Sequence, residues 1–229
     1  GMLYRGAKPV MWSVVEKTAL AEAEVEYHDH TSNTIWVKFP VVSASLAELE
    51  GASVVIWTTT PWTIPGNRAI AYSADAEYVC LEITNAEEEE DAKTGERIIV
   101  AGPLVDQVKA DCGITGAKEL ARFKGAELAG TLSAHPFRGQ DYEFDVPLLA
   151  DDFVEMDTGT GFVHIAPGHG ADDWELSIAN GIQVPETVGG DGLYFDHVPL
   201  FAGIHVFKAD IAVIEALEGA VALLAKGKI

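Results

Sequence analysis

Short apolar segments separated by glycine, proline and polar loops are the feature that most constrains the fold of this chain. Residues 34–41 alternate between apolar and polar side chains, which predicts a half-buried strand, and residues 53–57 are nearly all apolar, which predicts a strand buried on both faces. The same reasoning predicts strands at 69–72, 78–83, 97–100, 141–149 and 161–165. Strands and helices do not alternate steadily, which argues against a doubly wound sheet. We therefore expect a mixed α/β, β-rich fold with a barrel-like core and peripheral helices, formed by one domain over residues 1–229.

Helical patterns are fewer than strand patterns. We predict helices at 103–112, which Gly113 would end, at 172–180, which Gly181 would end, and at 209–226. In the last of these, apolar residues recur at helical spacing and predict a face packed on the core. These residues are Ile211, Ile214, Leu217, Val221 and Leu224.

The chain is strongly acidic, with 15 Lys and Arg against 36 Asp and Glu and a formal net charge of −21. Such a surface repels nucleic acid in general, so any nucleic-acid contact needs a small local patch or a larger protein around it. The acidic run at 87–91 is typical of a solvated hairpin tip.

No apolar segment has the ~18 residues that a membrane span needs. Cys80 and Cys112 are too far apart in the sequence to form a zinc motif. Together these two observations favour a cytoplasmic protein. We interpret Gly1 and Met2 as a cloning remnant.

Two motifs carry the chemistry. The first runs from Trp57 to Asn67, Trp-Thr-Thr-Thr-Pro-Trp-Thr-Ile-Pro-Gly-Asn. A threonine run before a proline is explained by strand propensity and strand termination alone. The functional interpretation is that hydroxyls at a strand end line a pocket mouth between two flat indole walls.

The second motif runs from Gly159 to Asp173 and places histidines and adjacent acids on a glycine-rich loop after a strand. Helix capping explains one of Asp172 and Asp173, which leaves the other for a ligand. His164, His169 and Asp173 together suggest a metal site, although their spacing matches no metal signature. No phosphate-binding glycine motif or nucleophile elbow is present. What remains is a pocket of hydroxyls, a histidine and a carboxylate, which suits an amine-bearing substrate attacked by water.

These motifs resemble the editing domain, or connective-peptide insert, of bacterial isoleucyl-tRNA synthetase. The resemblance also covers residues 4–10, 18–27 and the glycine-rich 188–192, in order along the chain. Two differences from the family are visible. The ATP-binding motifs of the synthetase core are missing, so we expect no ATP-dependent synthetase activity, and residues 13–17 lack the two cysteines that many relatives have there.

The resemblance implies hydrolysis of mischarged Val-tRNA(Ile), with the valine-bearing 3′ end of tRNA(Ile) and the remainder of the synthetase chain as partners. It implies no cofactor and no metal. In the family pattern, Asp173 binds the substrate ammonium, His164 limits side-chain size, and the threonines contact amino acid and adenosine. The catalytic set is then Thr59, Thr60, His164 and Asp173, and the substrate-binding set is Trp57, Thr58, Trp62, Ala166 and Asp173. Two alternatives stay open: a metal-dependent hydrolase using His164, His169 and Asp173, and a non-catalytic tRNA-binding module.

Overall fold

Twelve strands and three α-helices are present in the computed structural model, which describes residues 9–88 and 91–229. The strands are β1 (Trp12–Ser13), β2 (Thr18–Ala19), β3 (Asn33–Ser43), β4 (Ala52–Thr58), β5 (Ala69–Tyr72), β6 (Glu77–Asn85), β7 (Arg97–Ala101), β8 (Gly116–Lys124), β9 (Leu132–Ala134), β10 (Asp145–Ala150), β11 (Phe162–Ile165) and β12 (Leu223–Lys228). The α-helices are α1 (Val105–Asp111), α2 (Ala171–Ala179) and α3 (Val206–Gly219). A 3-10 turn, Pro61–Gly66, follows β4. None of the described helices combines the length and apolar character needed to cross a membrane.

Ten of the strands form one sheet in the order β11-β5-β10-β9-β3-β4-β7-β6-β8, with β12 added to β3, while β1 and β2 form a separate ribbon. The pairings are mainly antiparallel, but β4 with β7 and β5 with β10 are parallel. Val54, Val55 and Ile56 of β4 are completely buried, because β4 lies between β3 and β7 in the middle of the sheet. The predicted burial of this strand on both faces is therefore confirmed.

The sheet curls so that the segment before β11 contacts the C-terminal ends of β4 and β7. The Ala101 N–H donates to the carbonyl of Thr160, and the Tyr78 hydroxyl donates to the carbonyl of Gly161 at 2.7 Å. Gly161 has a φ of +78°, and a Cβ there would lie 2.3 Å from the Cβ of Ala101, so only glycine permits this approach. The expected β-rich, mixed α/β fold is confirmed, although the hydrogen-bonded sheet of the described residues does not close into a barrel.

Most predicted elements are confirmed, with shifted ends. The strand expected at 141–149 begins later, at Asp145, and α1 and α2 match the helices expected at 103–112 and 172–180. The acidic run at 87–91 lies in the connection between the antiparallel strands β6 and β7, although residues 89 and 90 are outside the described residues. Residues 1–8, and with them most of the 4–10 motif and the supposed cloning remnant, are also outside the described residues.

The helix predicted at 209–226 is wrong in its last third. Helix α3 begins earlier and ends at Gly219, and residues 223–228 form β12, which pairs with β3. The helix ends in a Schellman motif: the N–H groups of Val221 and Ala222 donate to the carbonyls of Glu218 and Leu217. The predicted apolar face is correspondingly broken up, because Ile211 and Val221 are exposed whereas Leu217 is buried.

The 3-10 turn after β4 is held from three directions. The His135 ring donates from Nε2 to the carbonyl of Ile64 at 3.1 Å, since its Nδ1 accepts the N–H of Phe137. The Tyr194 hydroxyl donates to the carbonyl of Trp62, and Asp210 of α3 accepts the Trp62 N–H. These contacts fix the backbone on which half of the pocket described below is built.

We predict that Val221→Gly stabilises the fold by about 1 kcal/mol. Val221 has a φ of +56° in the Schellman position, where a β-branched residue is strained and glycine is preferred. Its side chain is 66% exposed, so little packing is lost. Urea unfolding measures the change. The neighbouring substitution Ala220→Gly is the control and should destabilise, because Ala220 has right-handed helical geometry. Equal effects of the two substitutions would contradict the assignment of strain.

Candidate functional site

A pocket of about 210 Å³ lies where β4, the 3-10 turn, β11 and the start of α2 meet. It brings together most of the residues expected from the sequence. Its lining consists of Trp57, Thr58, Thr60, Thr63, Val163, His164, Ala166, His169, Gly170 and Asp173. Thr59 and Trp62 were also expected at the site, but neither is part of this lining.

Thr58, the last residue of β4, and Thr60, two residues further on, bring their hydroxyls together. The Oγ1 atoms of Thr58 and Thr60 lie 3.1 Å apart, and the Thr60 N–H donates to Oγ1 of Thr58. Thr59 lies between them in the sequence and is not part of the pocket lining. The structure therefore places two of the three hydroxyls together on the pocket wall.

His164, on β11, is buried and both of its ring nitrogens are hydrogen-bonded. Asn67 donates from Nδ2 to Nδ1 of His164 at 2.9 Å, and the same Nδ2 donates to the carbonyl of Ala69, which fixes the orientation of the amide. Nε2 of His164 lies 2.8 Å from Oγ1 of Thr63. The Thr63 hydroxyl gives its single proton to the carbonyl of Thr60, so it must accept from His164. The ring is therefore the neutral tautomer with its proton on Nε2.

Burial, together with a smaller contribution from the nearby His169, lowers the pKa of His164 to about 3. A general base needs a free lone pair and a pKa near the working pH. Here the only lone pair accepts from Asn67, and the proton on Nε2 is held by Thr63. The geometry makes His164 a fixed, neutral wall of the pocket and not a proton acceptor.

Asp173 provides the carboxylate of the pocket. Its Oδ2 accepts the N–H of Ala166 at 2.8 Å. Burial raises its pKa, the Ala166 N–H opposes that shift, and the adjacent Asp172 adds to it. No lysine or arginine of the described residues forms an ion pair with Asp173. This half-buried carboxylate is thus left without a basic partner among the described residues.

The capping interpretation of the two acids is wrong. Helix α2 begins after Gly170, which is its N-cap and has no side-chain cap, and Asp172 and Asp173 lie in the first turn. A Cβ on Gly170 would come within 2.8 Å of the Asp173 carboxyl carbon, so the loop needs glycine there for the carboxylate to keep its place.

Trp62 and His169 form a wall beside the pocket. Their rings meet edge to face with centroids 4.9 Å apart, and Nε2 of His169 lies 3.0 Å from Oγ1 of Thr187. Burial lowers the pKa of His169 to about 4. Behind this wall lies a second pocket of about 550 Å³, which is larger and mainly apolar. Trp62 and His169 both line this second pocket. Trp62 therefore supports the smaller pocket from outside.

The three residues of the open metal hypothesis line the same pocket but are not arranged around a common metal position. No group of three or more His, Cys, Asp or Glu side chains within the described part of the chain is placed to hold a metal ion. The nitrogens of His164 are engaged by Asn67 and Thr63, and Nε2 of His169 is engaged by Thr187. Both histidines of that hypothesis thus already use ring nitrogens in hydrogen bonds within the protein.

Sequence comparison identifies the family. A model of class I tRNA synthetases (I, L, M and V) matches residues 1–209. The chain belongs to the class I tRNA synthetase family. It is 49% identical over its whole length to the isoleucine–tRNA ligase of Pelagibacter ubique (strain HTCC1062), of which it covers 25%. It is 52% identical over 222 residues, 96% of this chain and 23% of the relative, to the isoleucine–tRNA ligase of Gluconobacter oxydans (strain 621H).

The chain spans about a quarter of the length of these curated synthetase relatives. The solved structure described as GlLeuRS-CP1 has the same fold, with a TM-score of 0.63 over 83% of this chain and 97% of that chain, at 14% identity. The resemblance to bacterial isoleucyl-tRNA synthetase is thus confirmed.

Sequence reasoning missed two residues of the site in this synthetase segment. Thr63 and Asn67 lie in the first motif, but no role was expected for either. Both are buried polar side chains in an otherwise apolar turn, a pattern that predicts specific partners once the turn is known to be buried. The turn contains two prolines and no helical period, so its burial is not visible in the residue pattern.

We predict that acid destabilises the fold through its buried histidines. Burial lowers the pKa of His135 and His164 to about 3 and that of His169 to about 4. An unfolded histidine has a pKa near 6.5, so below that pH the unfolded chain binds protons that the folded chain does not. The free energy of unfolding should then fall by about 1.4 kcal/mol per pH unit for each of them, with no contribution above pH ~6.5.

Urea unfolding at pH 7.5 and 5.5 measures this loss. His135→Gln, which keeps a donor for the carbonyl of Ile64, should reduce the difference between the two pH values. The exposed His28 is the control, and His28→Gln should leave the difference as it is. If both variants behave as the wild type does, the buried histidines do not control acid stability.

Proposed function

We propose that this chain is the editing domain of an isoleucyl-tRNA synthetase and hydrolyses the ester of mischarged Val-tRNA(Ile). The observation that carries the proposal is the pocket itself. It holds a carboxylate, Asp173, that has no basic partner among the described residues, together with the paired hydroxyls of Thr58 and Thr60 and a rigid neutral histidine, His164. An aminoacyl ester offers matching groups, namely an ammonium, an ester with ribose oxygens, and a short apolar side chain.

Size exclusion is the task that such a pocket suits. Binding alone separates isoleucine from valine by only about 150-fold, a value measured for isoleucyl-tRNA synthetase and not calculated from this pocket. A second site that admits valine and excludes isoleucine raises the accuracy. A cavity of about 210 Å³ bounded by Val163, His164 and Ala166 is small enough for one methylene to matter.

Water is the proposed nucleophile, because the pocket offers no side chain suited to be the base. His164 has no free lone pair, and Asp173 is taken as the partner of the ammonium. Thr60 and Thr58 orient the ester and the terminal adenosine through their hydroxyls. The family resemblance suggests that the neighbouring ribose hydroxyl orients the water. The domain acts with the 3′ end of tRNA(Ile) and with the remainder of the synthetase chain.

The decisive experiment compares deacylation of Val-tRNA(Ile) and Ile-tRNA(Ile), side by side, by the complete synthetase and by the 229-residue chain. Release of valine with little release of isoleucine supports editing. Binding of both tRNAs without release of either amino acid would instead indicate a tRNA-binding module. Loss of activity on metal chelation, restored by added metal, would indicate a metal-dependent hydrolase.

We predict that Asp173→Asn weakens transition-state binding of Val-tRNA(Ile) by about 2–5 kcal/mol, because truncating one partner of a buried charge pair has a cost of this order. Asparagine keeps an oxygen to accept the Ala166 N–H, so the loop should hold its shape. The kcat/KM for deacylation measures the effect. Asp172→Asn removes the same charge from the adjacent, exposed residue and should have little effect. Equal losses in both variants would indicate a general charge effect.

We predict that His164→Ala admits the cognate ester, so that the ratio of Ile to Val deacylation rises. The imidazole occupies the wall of the pocket, and alanine leaves that volume empty. His28→Ala, at an exposed position, is the control and should leave the ratio unchanged. If His164→Ala lowers both rates by the same factor, His164 contributes to the chemistry instead of to size exclusion.

A further inference from the structure

Thr63 is placed between the two functional parts of the pocket. Its Oγ1 accepts the Nε2 proton of His164 at 2.8 Å and donates its own proton to the carbonyl of Thr60 at 2.9 Å. Thr60 supplies one of the paired hydroxyls, and His164 supplies the wall. One hydroxyl therefore joins the residue that meets the ester to the residue that limits side-chain size.

The position of this hydroxyl is fixed by the backbone on both sides of it. The carbonyl of Trp62 accepts from Tyr194 and its N–H donates to Asp210, while the carbonyl of Ile64 accepts from His135. Thr63 itself is 6% exposed, and its N–H also donates to the carbonyl of Thr60. The turn cannot shift to find another partner for the His164 ring.

Asn67 and Thr63 do different things to that ring. Asn67 donates to Nδ1, which selects the tautomer but leaves the ring free to tilt about this contact. Thr63 holds the opposite nitrogen, Nε2, and so removes the tilt. Without Oγ1 of Thr63, the Nε2 proton would be a buried donor lacking a partner, and the ring would move to satisfy it.

We propose that Thr63 is a positioning residue that sets the size limit of the pocket by holding the His164 ring through its Nε2 proton. This inference rests on the proposed editing function. On this proposal, the selectivity of the pocket for the valine ester over the isoleucine ester depends on the Thr63 hydroxyl, which acts on the ligand through His164.

Three variants test the proposal. Thr63→Val keeps the β-branched shape and removes the hydroxyl, and Thr63→Ser keeps the hydroxyl. Thr131→Val is the matched control, because Thr131 is also a buried threonine and its hydroxyl has no hydrogen-bond partner within the described part of the chain. If Thr63→Val does not fold, as judged by circular dichroism, Thr63→Ala takes its place.

The first readout is nuclear magnetic resonance of the His164 ring in the 229-residue chain. The wild type should show a bare Nδ1 and a protonated Nε2 whose proton exchanges slowly with water. Thr63→Val should speed up that exchange, while Thr63→Ser and Thr131→Val should not. An unchanged Nε2 signal in Thr63→Val overturns the proposal.

The second readout is the ratio of Ile to Val deacylation by the complete synthetase. Thr63→Val should raise the ratio about two- to tenfold, the range that one neutral hydrogen bond supports, and Thr63→Ser should restore it. A changed ring signal with an unchanged ratio also overturns the proposal. If the wild type fails to release valine at all, the proposed function fails, and this result is distinguishable because the ring signals still report on Thr63.

Discussion

The burial of a neutral histidine with both nitrogens satisfied is the constraint on which the rest of the site depends. An imidazole in the interior needs a donor for its bare nitrogen and an acceptor for its protonated one. Asn67 and Thr63 supply these at 2.9 and 2.8 Å, and both belong to the segment that leaves β4. The two sequence motifs are thus joined by one ring, and neither could shift without leaving a buried polar group unpaired.

The sheet has to curl for this ring to meet its partners. His164 lies on β11, at one end of the strand order, while the threonines follow β4, in the middle of it. Gly161, packed against Ala101, allows the chain to cross the end of β7 and brings β11 back over β4. The buried hydrogen bond of Tyr78 to Gly161 holds that crossing. The pocket is therefore a product of the curvature of the sheet.

The strands were predictable because apolar residues, alternating in β3 and continuous in β4 and β5, record burial directly. The conformation at the end of the chain was not predictable in this way. Ala and Leu at 222–225 fit helical spacing and favour helices, but pairing with β3 decides their conformation. Edge strand β8 escaped prediction since all of its residues except Phe123 are exposed or half-buried. Residues of both motifs line the candidate pocket. The partners of His164, however, depend on a turn whose shape is set by His135, Tyr194 and Asp210, residues far away in the sequence.

The acidity of the chain acts in two opposite directions on the proposed substrate. With a net charge of −21, its field favours an ammonium beside Asp173 and repels the phosphates of a tRNA. Burial raises the pKa of Asp173, but the N–H of Ala166 opposes this shift, which favours the ionised carboxylate that an ammonium requires. If the domain edits tRNA, its own surface recognises the aminoacyl end, and the affinity for the polynucleotide has to come from other parts of the longer synthetase.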